Sequence, residues 1–179
     1  MTRWEEMHFL PGVTEAISLL NQNNFRVIVV SNQRCVAKGL LTIRHLESIH
    51  QQMCERLAAA GAIIDGVYYC PHDKWPACHC RKPAPGMLLE AAREHGIDLA
   101  VSWMVGDSEI DVEAGKNAGC KTVRLVEKTE IPEGKADMLA SSLEEAIQQI
   151  LRMEKARGFV GGIALDDPPL NVWKAKTLW

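Results

Sequence analysis

Between Cys70 and Met87 the chain reads CPHDKWPACHCRKPAPGM. Cys70, His72, Cys78 and Cys80 form a C-x-H pair and a C-x-C pair, bridged by DKWPA. Zinc takes tetrahedral sets of thiolate and imidazole ligands, and three thiolates with one imidazole is a common structural set. The proline in the bridge limits its freedom. His79 lies between two cysteines and is expected to point away. The competing reading is of free thiols or a redox pair, although Cys78 and Cys80 are too close for an easy disulfide. Cys35, Cys54 and Cys120 are isolated and read as core residues.

Directly after the last of these ligands come Arg81, Lys82 and Pro83. A metal knot that holds Cys80 would fix both cations. Arg offers a planar fork to phosphate oxygens and Lys a point charge. Elsewhere, SNQ places Ser31 and Asn32 at the end of an apolar run, where a hydroxyl and an amide can donate to phosphate. GDSEID places Asp107 at a second such end, a normal position for a magnesium ligand. Asp111 follows four residues later and could pair with Lys82 from the same helix face. Each feature is weak alone. Together they describe one anionic substrate beside one hard cation.

The elements that must position these groups are legible in the periodicity. VTEAISLLNQNN (13–24), TIRHLESIHQQMCERLAAAG (42–61), PGMLLEAAREHG (85–96) and EIDVEAGKNAG (109–119) carry helical spacing. FRVIVVSN (25–32), DGVYYC (65–70), VSWMVGD (101–107) and KTVRLV (121–126) read as short, largely buried strands. Residues 136–158 read as a short strand and then a helix, with Ser142 and Glu145 spaced as a capping box. Strands alternating with helices predict an α/β fold with a parallel sheet, whose ligands bind outside the carboxyl ends of the strands. The three suspicious clusters sit at such ends. Residues 1–157 are expected to form one domain, and 158–179 an irregular extension.

A net charge of −3 argues against a nucleic-acid footprint, and no apolar run is long enough for a membrane span. The start of the chain shows no basic region followed by an apolar core. The cysteines are therefore expected to stay reduced, in a cytoplasmic protein. The expected partner is a small phosphorylated metabolite, and a monomer is favoured.

YYCPH…CHCRKPAPGM, VVSNQ and GDSEID resemble the haloacid dehalogenase (HAD) superfamily of phosphatases over about residues 4–150. Within it they resemble the branch of the D-glycero-D-manno-heptose 1,7-bisphosphate and histidinol-phosphate phosphatases. The resemblance implies a Rossmann-like three-layer sandwich, a structural Zn2+ on Cys70, His72, Cys78 and Cys80, and Mg2+ on Asp107 with Asp111 behind it. It implies catalytic roles for Ser31, Lys82 and Asp107, with Asn32 and Arg81 holding substrate. Reaction would pass through an aspartyl phosphate, an aspartate two positions on acting as the acid. Lys38, in QRCVAKG, tilts the substrate towards the sugar phosphate rather than histidinol phosphate.

One motif departs from the family. The nucleophile sequence Asp-x-Asp-Gly-Thr, on a central first strand, is not found in the 179 residues. GIALDDPPLN (162–171) echoes a strand ending in Asp166, but Asp166 and Asp167 are adjacent and prolines follow. The 179 residues as they stand are therefore not expected to turn over. They read either as a phosphatase without its first strand or as a non-catalytic remnant that keeps zinc and binds a phosphate ligand or a partner. An absent central strand would open two buried sheet edges, with FVGGIAL as the candidate to cover one of them.

Overall fold

A computed structural model of the chain describes residues 7–74, 77–127, 135–158 and 171–174. Six parallel strands form one sheet in the order β2-β1-β6-β3-β4-β5. They are β1 (Arg26–Asn32), β2 (Gly66–Cys70), β3 (Trp103–Gly106), β4 (Lys121–Leu125), β5 (Met138–Ala140) and β6 (Asn171–Lys174). The helices are α1 (Val13–Gln22), α2 (Arg34–Ala37), α3 (Ile43–Ala59), α4 (Gly86–His95), α5 (Glu109–Ala118) and α6 (Leu143–Ala156). The α/β class and the parallel sheet are as the sequence predicts.

The strands are apolar on both faces because helices cover both. Val27 and Val29 of β1 pack with Ile17 of α1, Met53 of α3 and Ile147 of α6. Ile28 and Val30, pointing the other way, pack with Leu88 of α4 and Ala114 of α5. Period-two side-chain direction thus splits one short run between two cores. Burying each such aliphatic side chain contributes about 1.5–3 kcal/mol. At the amino end of the sheet, the buried Glu154 of α6 accepts from Trp103 Nε1 at 2.9 Å and from Lys121 Nζ at 2.8 Å. This ties the last helix to β3 and β4.

Local signals set the element ends. Asn24 takes a left-handed turn, φ 61°, between α1 and β1. Thr42 caps α3 by accepting from the His45 amide. Ser142 caps α6 through the Glu145 amide, but the Glu145 carboxylate reaches back to Ser141 rather than closing the expected box on Ser142.

The strand that carries Asp-x-Asp-Gly-Thr is absent from the sequence as expected, but its place in the sheet is not left open, and part of the expected irregular extension is a strand. Residues 171–174 pair in parallel with β1 (Val27↔Val172) and with β3 (Trp103↔Val172), so the tail supplies a strand at the sheet's centre. The physical reason is backbone satisfaction. A gap between β1 and β3 would leave two rows of buried N–H and C=O groups unpaired, each group costing about 1–3 kcal/mol. Both FVGGIAL and Asp166 lie outside the described residues.

Proline has no N–H to give a central ladder. Val172→Pro should therefore lower the thermal unfolding midpoint by several degrees, whereas an unchanged midpoint would contradict the placement of β6.

Candidate active site

The sheet brings the ends of β1, β2 and β3 together, and the chemistry-bearing residues stand there. β2 ends at Cys70, which pairs with Asn32 at the end of β1. The Gln33 amide then donates to the Cys70 carbonyl at 2.8 Å. The loop after β2 is thereby tied to the segment after β1.

In that loop the Sγ atoms of Cys70, Cys78 and Cys80 and a ring nitrogen of His72 all lie within 4.8 Å of one another. The edges are 3.5 Å for Cys70–Cys78, 3.4 Å for Cys78–Cys80 and 3.2 Å for His72 Nδ1–Cys80. A tetrahedral zinc with Zn–S bonds of about 2.3 Å sets sulfurs about 3.7 Å apart, close to these edges. Disulfide bonding needs about 2.05 Å, and all six cysteines are free. Burial raises the Cys80 thiol pKa to about 12, helped by its thiol neighbours. Burial also raises that of Cys78, but hydrogen bonds from Cys80 and the Arg81 amide prevail and bring it to about 7. The donor set therefore fits a thiophilic dication. His79 stays exposed and out of the cluster, while its carbonyl accepts from the Gly86 amide at 3.0 Å. A Cβ on Gly86 would sit 2.2 Å from that oxygen, so only glycine permits this close return.

The loop's far end delivers Lys82 to the interior. Its ammonium donates to the Val30 carbonyl at 2.9 Å and pairs with Asp111 Oδ1 at 2.8 Å, the two side chains 4% and 3% exposed. Asp111 uses its other oxygen, Oδ2, to accept from the Ser108 amide at 3.2 Å and hydroxyl at 2.5 Å. Ser108 and Asp111 form a capping box at the start of α5. Gly106 makes room for it, because a Cβ there would lie 2.3 Å from that of Asp111. Asp107, exposed at the end of β3, has its carboxyl pKa raised by partial burial and then by the charge of Asp111, with Lys82 opposing. A hard cation beside Asp107 would relieve this repulsion, so the carboxylate suits magnesium.

Ser31 is fully buried, and its Oγ accepts from Gln33 Nε2 at 2.9 Å. The Asn32 carboxamide is engaged at both ends by the Lys82 main chain, donating to its carbonyl at 3.1 Å and accepting from its amide at 3.0 Å. Arg81 donates to the His72 carbonyl at 3.1 Å, and Lys38 is exposed at the end of α2. Arg34 pairs with Asp73 of the cysteine loop, whose carboxyl it holds below the usual range.

Ser31, Asn32, Lys82, Asp107, Asp111 and the loop's Cys70, His72, Cys78 and Cys80 thus gather at one end of the sheet. Sequence reasoning missed Gln33, Ser108 and Gly106. The S-x-x-D spacing of Ser108 and Asp111 carried a legible capping signal. Gln33 carried none beyond its place after Ser31.

A family model described as HAD-hydrolase-like matches residues 79–146. D-glycero-beta-D-manno-heptose-1,7-bisphosphate 7-phosphatases are among the similar proteins. That of Bordetella bronchiseptica is 40% identical over 65% of this chain and 65% of its own length. That of Yersinia pestis is 36% identical over 79% of this chain and 81% of its own. That of Escherichia coli is 36% identical over 84% and 85%. Among solved structures, the B. bronchiseptica D,D-heptose 1,7-bisphosphate phosphatase, complexed with magnesium and phosphate, superposes with a TM-score of 0.75 at 33% identity. The overlap covers 85% of this chain and 88% of that one. With this much of the relatives' length matched, and the strand-end residues gathered as described, the chain belongs to the HAD-like hydrolases, in the branch of the heptose-bisphosphate 7-phosphatases.

Proposed function

We propose that this is the anion- and metal-binding part of a phosphatase site for D-glycero-D-manno-heptose 1,7-bisphosphate, acting at the 7-phosphate and completed by the family's aspartate nucleophile. The observation that carries the reading is the buried Lys82–Asp111 pair, set beside Ser31 and Asp107 in a branch whose relatives bear that name. Lys82 presents positive charge at a water-poor strand end, where it acts strongly on a phosphoryl group. Ser31 donates its O–H to a phosphate oxygen. Asp107 would hold magnesium, with Asp111 behind it, and the ion when bound supplies charge neutralisation for the phosphate. Cys70, His72, Cys78 and Cys80 would hold zinc in a structural role, fixing the loop that carries Arg81 and Lys82. Arg81 sits at the loop surface, suited to a second anionic group on the substrate.

Hydrolysis by this route also needs a carboxylate nucleophile on the strand between β1 and β3. Here β6 holds that place, and neither NVWK (171–174) nor AKTLW (175–179) contains an acidic side chain. The 179-residue polypeptide should therefore bind inorganic phosphate with magnesium present yet release none from heptose bisphosphate. Magnesium-dependent turnover by this polypeptide would contradict the role given to the central strand.

For the loop, elemental analysis of the purified chain should find about one zinc per polypeptide. Cys80→Ala should lose most of the metal and lower the unfolding midpoint by several degrees. Metal-free protein whose three loop thiols, Cys70, Cys78 and Cys80, are freely alkylated would refute a zinc site.

A further inference from the structure

Ser31 can donate to a phosphate only if its hydroxyl proton points outward. A serine hydroxyl is one donor and two acceptor lone pairs on a freely turning bond. At Ser31 that bond is constrained. Gln33 Nε2 donates to Oγ at 2.9 Å, with Gln33 itself only 8% exposed. A donor on one lone pair turns the O–H away from Gln33.

The carboxamide is in turn held the right way round. Its Oε1 accepts from Cys35 Sγ at 3.6 Å, so the NH2 end faces Ser31. The Gln33 main chain is fixed by the 2.8 Å bond from its amide to the Cys70 carbonyl. Cys35, Gln33 and Ser31 thus form a chain in which every donor points the same way. Asn32, between Ser31 and Gln33, is turned towards Lys82 and has no part in it.

We infer that Gln33 is a positioning residue: it sets the Ser31 hydroxyl as a donor to the anion, with Cys35 fixing the sense of its carboxamide. The inference rests on the phosphate-site reading above and deepens it. Its distinguishing feature is polarity, which an isosteric change can reverse. Gln33→Glu keeps the shape but presents an acceptor, so the Ser31 hydroxyl would turn inward.

The test is calorimetric titration of the folded full chain with inorganic phosphate. Ser31→Ala should weaken binding about tenfold. Gln33→Ala should weaken it severalfold, and Gln33→Glu at least as much as Ser31→Ala. In the Ser31→Ala background neither Gln33 change should have further effect. Without phosphate, one Gln33 side-chain amide proton resonance should move when Ser31→Ala removes its acceptor. If Ser31→Ala weakens binding but the Gln33 variants do not, or if their effects simply add to it, the positioning role is overturned and the phosphate site stands. An unmoved amide resonance overturns it equally. If wild type binds no phosphate, or Ser31→Ala changes nothing, both the site reading and the inference fall.

Discussion

A lysine and an aspartate buried side by side are what the carboxyl end of this sheet is arranged around. Each charge of the Lys82–Asp111 pair offsets the cost of burying the other, and removing one partner of such a pair typically costs about 3–5 kcal/mol. The surroundings meet the remaining demands. Val30 lends a carbonyl to the ammonium, and Ser108 gives both of its donors to the carboxylate. Gly106 clears the space Asp111 needs. Even the Asn32 carboxamide is committed to holding the Lys82 main chain. The pair therefore draws together the first strand, the cysteine loop and the start of α5. No one of these can move without exposing a charge to an apolar neighbourhood.

The cysteine loop has its physical role in the same frame. Lys82 reaches the interior from a loop whose Cys70 is buried in the core and whose Cys78 and Cys80 pack against it. A metal held by Cys70, His72, Cys78 and Cys80 would stiffen the loop, and the Arg34–Asp73 pair and the Gln33–Cys70 bond tether it to the segment after β1. The centre of the sheet is closed by different means. β6 satisfies the facing edges of β1 and β3 with a short segment from the far end of the chain.

Much of this was legible in the sequence, for identifiable reasons. Helix and strand periods are local, so β1 to β5 and the longer helices could be read from residue spacing alone. The clustering of Cys70, His72, Cys78 and Cys80 was legible because two short pairs joined by a five-residue bridge can fold back on each other. The pairing of Lys82 with Asp111 was legible from the place of Asp111, four residues after Asp107 on one helix face. β6 was not, because NVWK gives too short a pattern and its partners lie far away in sequence. The inward use of Asn32 and Gln33 was hidden for another reason: an amide at a strand end looks alike whether it serves a ligand or a neighbour. Only the bonds to Lys82 and Ser31 separate the two.

The proposed anion site at the strand ends joins Ser31 and Lys82. It is tested most directly by a crystal structure of the zinc-loaded chain grown with magnesium and inorganic phosphate. The account predicts a phosphate whose oxygens contact Ser31 Oγ and Lys82 Nζ, with the Lys82–Asp111 pair intact and Asp107 facing the cation. An ordered phosphate held instead by Arg81 or Lys38, with Ser31 and Lys82 touching no anion, would contradict it.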